Sequence, residues 1–252
     1  MALDRDNRDG VVVLTLNEPQ RRNPLTQAIK GQLFEALVSA QTDNSVRAVV
    51  LTGAEGNFCA GGDLATLGTD TVAGARERLT RNGDLIRRMV RYPKPLYAAV
   101  EGWAAGAGLS VALSCDGIVA AEGARFLASF IRVGLIPDLG MLGSLPARVG
   151  PALARRIMLS AEPLDSATAH SAGLVDDVTP NGAALDRAVE LARAAAGRAP
   201  LPQAHIKDFL ARAVDEALGY EALIQPLLLA SQDATEGRAA FFDKREPQFK
   251  GM

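Results

Sequence analysis

Cysteine and histidine are nearly absent from the chain, whose 252 residues include two of each. Cys59 and Cys115 cannot supply a disulfide framework for a chain this long, which points to a reduced compartment. His170 and His205 stand far from Cys59 in sequence, so nothing nearby would activate that thiol, and it reads as buried and inert. A basic excess is missing too. Lys and Arg number 27 against 29 Asp and Glu, a net charge of −2, which argues against the clustered positive surface that nucleic-acid binding needs. The longest apolar stretch, Trp103 to Leu113, is too short and glycine-rich to span a bilayer. The opening Met-Ala-Leu-Asp-Arg-Asp lacks the cationic-then-apolar pattern of a signal peptide, and a cytoplasmic location is expected. The sequence also shows no clear internal repeat, low-complexity tract or charge run, and no metal is expected.

What the chain does contain is apolar residues, 48% of it, enough for one large domain or one domain with an appendage. Strand-like and helix-like segments alternate. Val11-Val-Val-Leu-Thr-Leu16 is a β-branched run, Thr26 to Ala40 has helical spacing, and Arg47-Ala-Val-Val-Leu-Thr-Gly53 returns to strand. Leu96 to Val100, Gly117 to Ala121 and Ala124 to Ala128 read as further strands, and Asp165 to His170 as a helix capped by Asp165. This is α/β patterning. From Leu185 onward only helix is expected, over Leu185 to Ala196, Pro202 to Gly219 and Tyr220 to Phe242. The break at Gly197-Arg198-Ala199-Pro200 divides a core, residues 1–198, from a helical segment, residues 199–252.

Two glycine-rich turns each follow an apolar run: Phe58-Cys59-Ala60-Gly61-Gly62-Asp63-Leu64 and Gly102-Trp103-Ala104-Ala105-Gly106-Ala107-Gly108. Each can present bare backbone N–H groups, the second at a helix N-terminus where the macrodipole also favours negative charge. Two such donors converging on one oxygen form an oxyanion hole, and losing one donor typically costs about 2.7–4 kcal/mol of barrier.

These turns resemble those of the enoyl-CoA hydratase/isomerase (crotonase) superfamily. The resemblance extends nearly end to end. It takes in Leu16-Asn17-Glu18-Pro19, Arg22-Asn23-Pro24-Leu25, both turns, Lys94-Pro95 to Asp116, Gly134-Leu-Ile-Pro137-Asp138, Gly173-Leu-Val175 and Ala240-Phe241-Phe242-Asp243-Lys244-Arg245-Glu246-Pro247. It implies a spiral of ββα turns with a C-terminal helical segment that packs against a neighbour in a homotrimer, which pairs into a hexamer in some cases. It implies that the N–H groups of Ala60 and Ala107 form the oxyanion hole. Coenzyme A would enter as part of an acyl-CoA substrate, with no permanently bound cofactor. Basic residues at the places of Arg21, Arg22 and Lys244 would hold its adenine-phosphate end, Lys244 from the adjacent subunit.

In the hydratase branch two glutamates activate water. The corresponding positions here are Ser110 and Phe130, neither of which ionises usefully, so efficient hydration is not expected. Relatives that move double bonds in acyl-CoA chains carry an acidic residue where this chain has Asp138. One carboxylate suffices for that reaction, and an apolar neighbour such as Phe130 would raise its pKa toward working pH. The bland alternative is that Asp138 caps a helix beginning near Leu139.

Other residues carry paired readings. Asp63 suits turn capping as well as a role in the site, and Ser110 suits a helix cap as well as orienting a ligand. Leu64, Leu67, Met89, Trp103, Gly106 and Phe130 are candidates for contact with the acyl group or the CoA arm. A dinucleotide loop at Gly102 to Gly108 lacks its third glycine. A dehalogenase using Asp138 as nucleophile would need a histidine that the chain does not place nearby. An atypical hydratase and a weakly catalytic acyl-CoA binder remain as alternatives.

Overall fold

The computed structural model describes residues 2–68 and 71–252. It opens with β1 (Leu3–Arg8) and β2 (Val11–Leu16), an antiparallel hairpin that turns at Asp9-Gly10. Both turn residues have positive φ, 53° and 85°, the conformation an Asp-Gly hairpin turn favours. Next come α1 (Gln27–Thr42), β3 (Ala48–Gly53), α2 (Val72–Val90), β4 (Leu96–Val100), β5 (Trp103–Ala105), α3 (Ala107–Leu113) and β6 (Gly117–Ala121). Then follow β7 (Arg125–Leu127), α4 (Met141–Val149), α5 (Pro151–Ser160), β8 (Leu164–Asp165), α6 (Ser166–Ser171), β9 (Asp177–Thr179) and α7 (Ala184–Ala196). The chain ends in α8 (Pro200–Leu210), α9 (Arg212–Leu229) and α10 (Gln232–Asp243).

The main sheet has the order β1-β2-β3-β4-β6-β9, parallel except for the β1 edge. Its inner strands β2, β3, β4 and β6 are apolar on both faces, as a covered parallel sheet requires. Val12, Leu14, Val49, Leu51 and Ala98 face the large core, while the alternate residues Val11, Val13, Ala48, Val50 and Ala99 meet Ala184, Ala188 and Ala192 of α7. A second layer, β5-β7-β8, is extended by a parallel bridge between Cys59 and Ala104. A main-sheet strand thus hands the chain to the second layer and then to a helix, and does so repeatedly. This is the ββα spiral expected from the sequence.

Thr26 and Asp165 cap α1 and α6, accepting from Ile29 N and Thr168 N. The C-terminal helices begin and end elsewhere than expected. Gly219, the expected end of one helix, lies inside α9, and the chain instead turns at Ala211 and at Ala230-Ser231. The C-terminal helices also pack within the chain, since Val214, Leu218 and Leu229 of α9 join the main core.

Candidate active site

The spiral brings the two glycine turns side by side. Cys59 N donates to Trp103 O at 2.8 Å and Ala105 N to Cys59 O at 3.0 Å, so the segments run as a short parallel ladder. Only glycine allows so close an approach. A Cβ on Gly108 would stand 2.5 Å from Cys59 O, and Gly106 adopts φ 49°, ψ −122°. A Cβ on Gly61 would lie 3.9 Å from the Ala107 nitrogen.

The expectation of two bare donors is met on one side only. Ala107 is the first residue of α3, and its N–H has no acceptor among the described residues. The Ala60 N–H, by contrast, donates to Arg22 O at 2.9 Å. Arg22 and Asn23 both have positive φ, 57° and 55°. Asn23 is fully buried and fixes that turn, donating to Ala54 O and Asn57 O and accepting from Glu18 N. A ligand oxygen at Ala60 therefore shares or displaces the Arg22 carbonyl.

Both turns border a cavity of about 520 Å³. Its wall includes Arg21, Arg22, Ala60, Asp63, Leu64, Leu67, Trp103, Gly106, Ala107, Phe130 and Asp138, as expected. Two expectations, for Ser110 and Met89, are corrected. Ser110 is fully buried behind the wall, where its Oγ donates to Asp138 O at 2.7 Å; it braces the turn and does not face a ligand. Met89 sits in the core and not in the cavity wall. Lys244 ends α10 on the surface, outside the cavity of its own protomer. Asp63 accepts from Ala65 N and from Arg21 Nη2 at 2.8 Å, the capping role considered for it. Cys59 is buried, which pushes its thiol up to about 11.

Asp138 does not cap a helix, because α4 starts at Met141 with Gly140 before it. Its carboxyl borders the cavity, with Oδ1 buried and unpartnered. Burial raises its pKa above the ordinary carboxylate range, against the opposing pull of the Lys30 charge, the Gln225 amide and the Arg78 charge.

Sequence reasoning missed what holds this turn. Gln225 of α9 brackets it upstream, accepting from Ile136 N and donating to Ile136 O at 2.9 Å. Glu221, one helical turn earlier on α9 and 2% exposed, accepts the Gly140 N–H on both oxygens at 3.1 Å. Those bonds hold a turn in which Leu139 and Gly140 have φ 55° and 77°. A glutamate and a glutamine on a C-terminal helix carry no sequence signal for this role. Lys30 and Arg78 also border the cavity, and no sequence motif marks either of them.

Burial, and then the charge of Asp138, push the Glu221 carboxyl from 4.5 up to about 8. The folded state thus favours the neutral acid. That contribution to stability is complete below about pH 4.5 and is lost as pH rises through about 8. Glu221→Gln keeps an acceptor for Gly140 N–H and cannot ionise. In calorimetry its melting temperature relative to wild type should rise progressively from pH 5 to pH 9, and a pH-independent difference would refute this account.

The two glycine turns, the Ala107 N–H and the Asp138 carboxyl thus border one cavity. Residues 6–252 match the family model described as enoyl-CoA hydratase/isomerase. The chain is 40% identical over 245 residues to 2,3-dehydroadipyl-CoA hydratase of Escherichia coli, covering 96% of this chain and 95% of that one. It is 37% identical over 252 residues to 1,2-epoxyphenylacetyl-CoA isomerase of the same organism, covering 96% and 95%. The solved structure of an enoyl-CoA hydratase from Mycobacterium avium subsp. paratuberculosis superposes with a TM-score of 0.88 at 32% identity, with 99% of both chains covered. The chain belongs to the enoyl-CoA hydratase/isomerase family and has the crotonase fold.

Proposed function

We propose that the protein shifts a carbon–carbon double bond in an acyl-CoA thioester. One observation carries this reading. Two carboxylates border the cavity among the described residues, and Asp63 is held by Arg21 and its own turn, which leaves Asp138 to exchange protons with a ligand. The Asp138 carboxylate takes a proton from the carbon next to the thioester carbonyl of a 3-enoyl group. The electron pair moves into the carbonyl oxygen as a dienolate forms. Ala107 N–H and Ala60 N–H stabilise that oxygen, the latter drawn from Arg22 O. Protonated Asp138 then returns the proton to the far end of the dienolate, leaving a 2-enoyl thioester. The raised pKa of Asp138 suits both halves of this transfer.

Hydration of a 2-enoyl thioester is the second reading, favoured by the names of several relatives. It needs a group that activates water, and Ser110 is committed to Asp138 O while Phe130 cannot ionise. Both reactions should be assayed on one preparation. Isomerisation exceeding hydration by orders of magnitude is expected, and hydration faster than isomerisation would overturn the reading.

Arg21 and Arg22 would hold the CoA arm, joined by Lys244 of an adjacent protomer. Assembly into a homotrimer or hexamer is supported by the large apolar side chains that the last helices leave exposed, among them Leu201, Phe209, Leu210, Leu223 and Leu227. Light scattering should return a trimer or a hexamer; a fully active monomer would contradict this.

A further inference from the structure

The cavity wall contains a cation that the double-bond shift does not use. Lys30 lies in the second turn of α1, among the residues that border the cavity. It is only partly exposed, and among the described residues its ammonium has neither a hydrogen bond nor an ion pair. Three groups act on it electrostatically. Asp138, on the loop before α4, and Cys59, in the first glycine turn, favour its charged form, while Arg78 of α2 opposes it. Asp138 is the strongest of the three, and Lys30 and Asp138 border the same cavity.

An ammonium withdrawn from water without a partner is costly, and a chain that needed only to enclose a hydrocarbon tail would do better with an apolar residue here. Leu67, Leu79 and Trp103 already supply apolar wall. Asp138 acts on this ammonium without forming an ion pair with it, so an anion held directly against it has to come from a ligand. We propose that Lys30 recognises a carboxylate on the substrate's acyl group, beyond the carbons that exchange the proton, so that the preferred substrates are CoA thioesters of acids with a second carboxyl. This inference rests on Asp138 marking the reacting end of the cavity. The second carboxylate would complete the ion pair, with the Arg78 guanidinium on the same stretch of wall adding to the positive field.

Burial lowers the Lys30 pKa to about 8, so the free protein holds it mostly charged at neutral pH and loses that charge as pH rises. A bound carboxylate favours the charged form, so its binding advantage should be full at pH 7 and should fade well above pH 8.

The test uses saturated thioesters, which bind without turning over. Calorimetric titration at pH 7 compares succinyl-, glutaryl- and adipyl-CoA with butyryl-, pentanoyl- and hexanoyl-CoA. At the best-fitting length the wild type should bind the carboxylated thioester at least ~10-fold tighter than its plain counterpart, the scale of a hydrogen bond to a charged group. Lys30→Met should reverse that order, Lys30→Arg should keep it, and for the wild type it should collapse at pH 9.5. A wild type that prefers the plain thioester at every length would overturn the proposal, and so would a Lys30→Met protein that keeps the carboxylate preference. If Lys30→Met fails to fold, Lys30→Gln serves in its place under the same criteria. Because these titrations need no chemistry, a failed isomerase assay with an intact carboxylate preference would sink the reaction and leave the pocket assignment standing.

Discussion

Asp138→Asn should reduce double-bond isomerisation by at least ~10²-fold while melting temperature and CoA binding stay close to wild type. The substitution is nearly isosteric. The turn that carries residue 138 is held through backbone groups, by Ser110 on Asp138 O, Gln225 on Ile136 and Glu221 on Gly140, so an amide at this position leaves its anchors in place. What is lost is basicity alone. In the wild type the same carboxylate should set the acid limb of the pH–rate profile. Because burial raises its pKa, the rate should fall as pH drops through a value above the usual carboxylate range. Isomerisation measured on wild type and variant side by side decides the matter, with hydration followed in the same samples. A variant retaining more than about a tenth of wild-type isomerisation would remove Asp138 as the base.

Ala107→Pro should be nearly as damaging, by roughly 10²–10³-fold, because it deletes an N–H that has no acceptor among the described residues. The first position of a helix is where proline is best tolerated, and Ala107 occupies that position in α3, so the fold should survive. Ala107→Ser, which keeps the N–H, should cost far less. Ala60→Pro is the less clean experiment, since it also breaks the bond to Arg22 O and so disturbs the turn that Asn23 anchors. Circular dichroism and thermal melts on each variant separate a lost donor from a lost fold. A folded Ala107→Pro protein with more than about a tenth of wild-type activity would show that the thioester oxygen binds elsewhere.

Much of this molecule could be read from residue order. The apolar runs that became β2, β3, β4 and β6 are covered on both faces, so their strand character is written in continuous Val, Ile, Leu and Ala. The two glycine turns were visible because close backbone approach admits little else. What stayed hidden depended on contacts made across the fold. The β1 strand is rich in charge because it is an exposed edge, and nothing in Leu3–Arg8 announces a partner. The break between α8 and α9 falls at Ala211, with neither glycine nor proline to mark it, whereas Pro226 is carried within a packed helix. The bond from Ala60 N–H to Arg22 O joins residues distant in sequence and could not have been foreseen from either turn alone. Glu221 and Lys30 acquire meaning only from what lies opposite them.

The grip of α9 on the turn around Asp138 changes what the break at Gly197 to Pro200 signifies. It marks a change of layer, from the α7 helix that backs the sheet to the helices beyond, and does not divide working parts. The Gln225 carboxamide and the Glu221 carboxyl that hold the Asp138 turn both belong to the C-terminal segment, on the helix whose opposite face presents Leu223 and Leu227 outward. Substitutions on that outer face thus act on the helix that positions the Asp138 turn. The geometry of the chemistry is inherited from the last quarter of the chain.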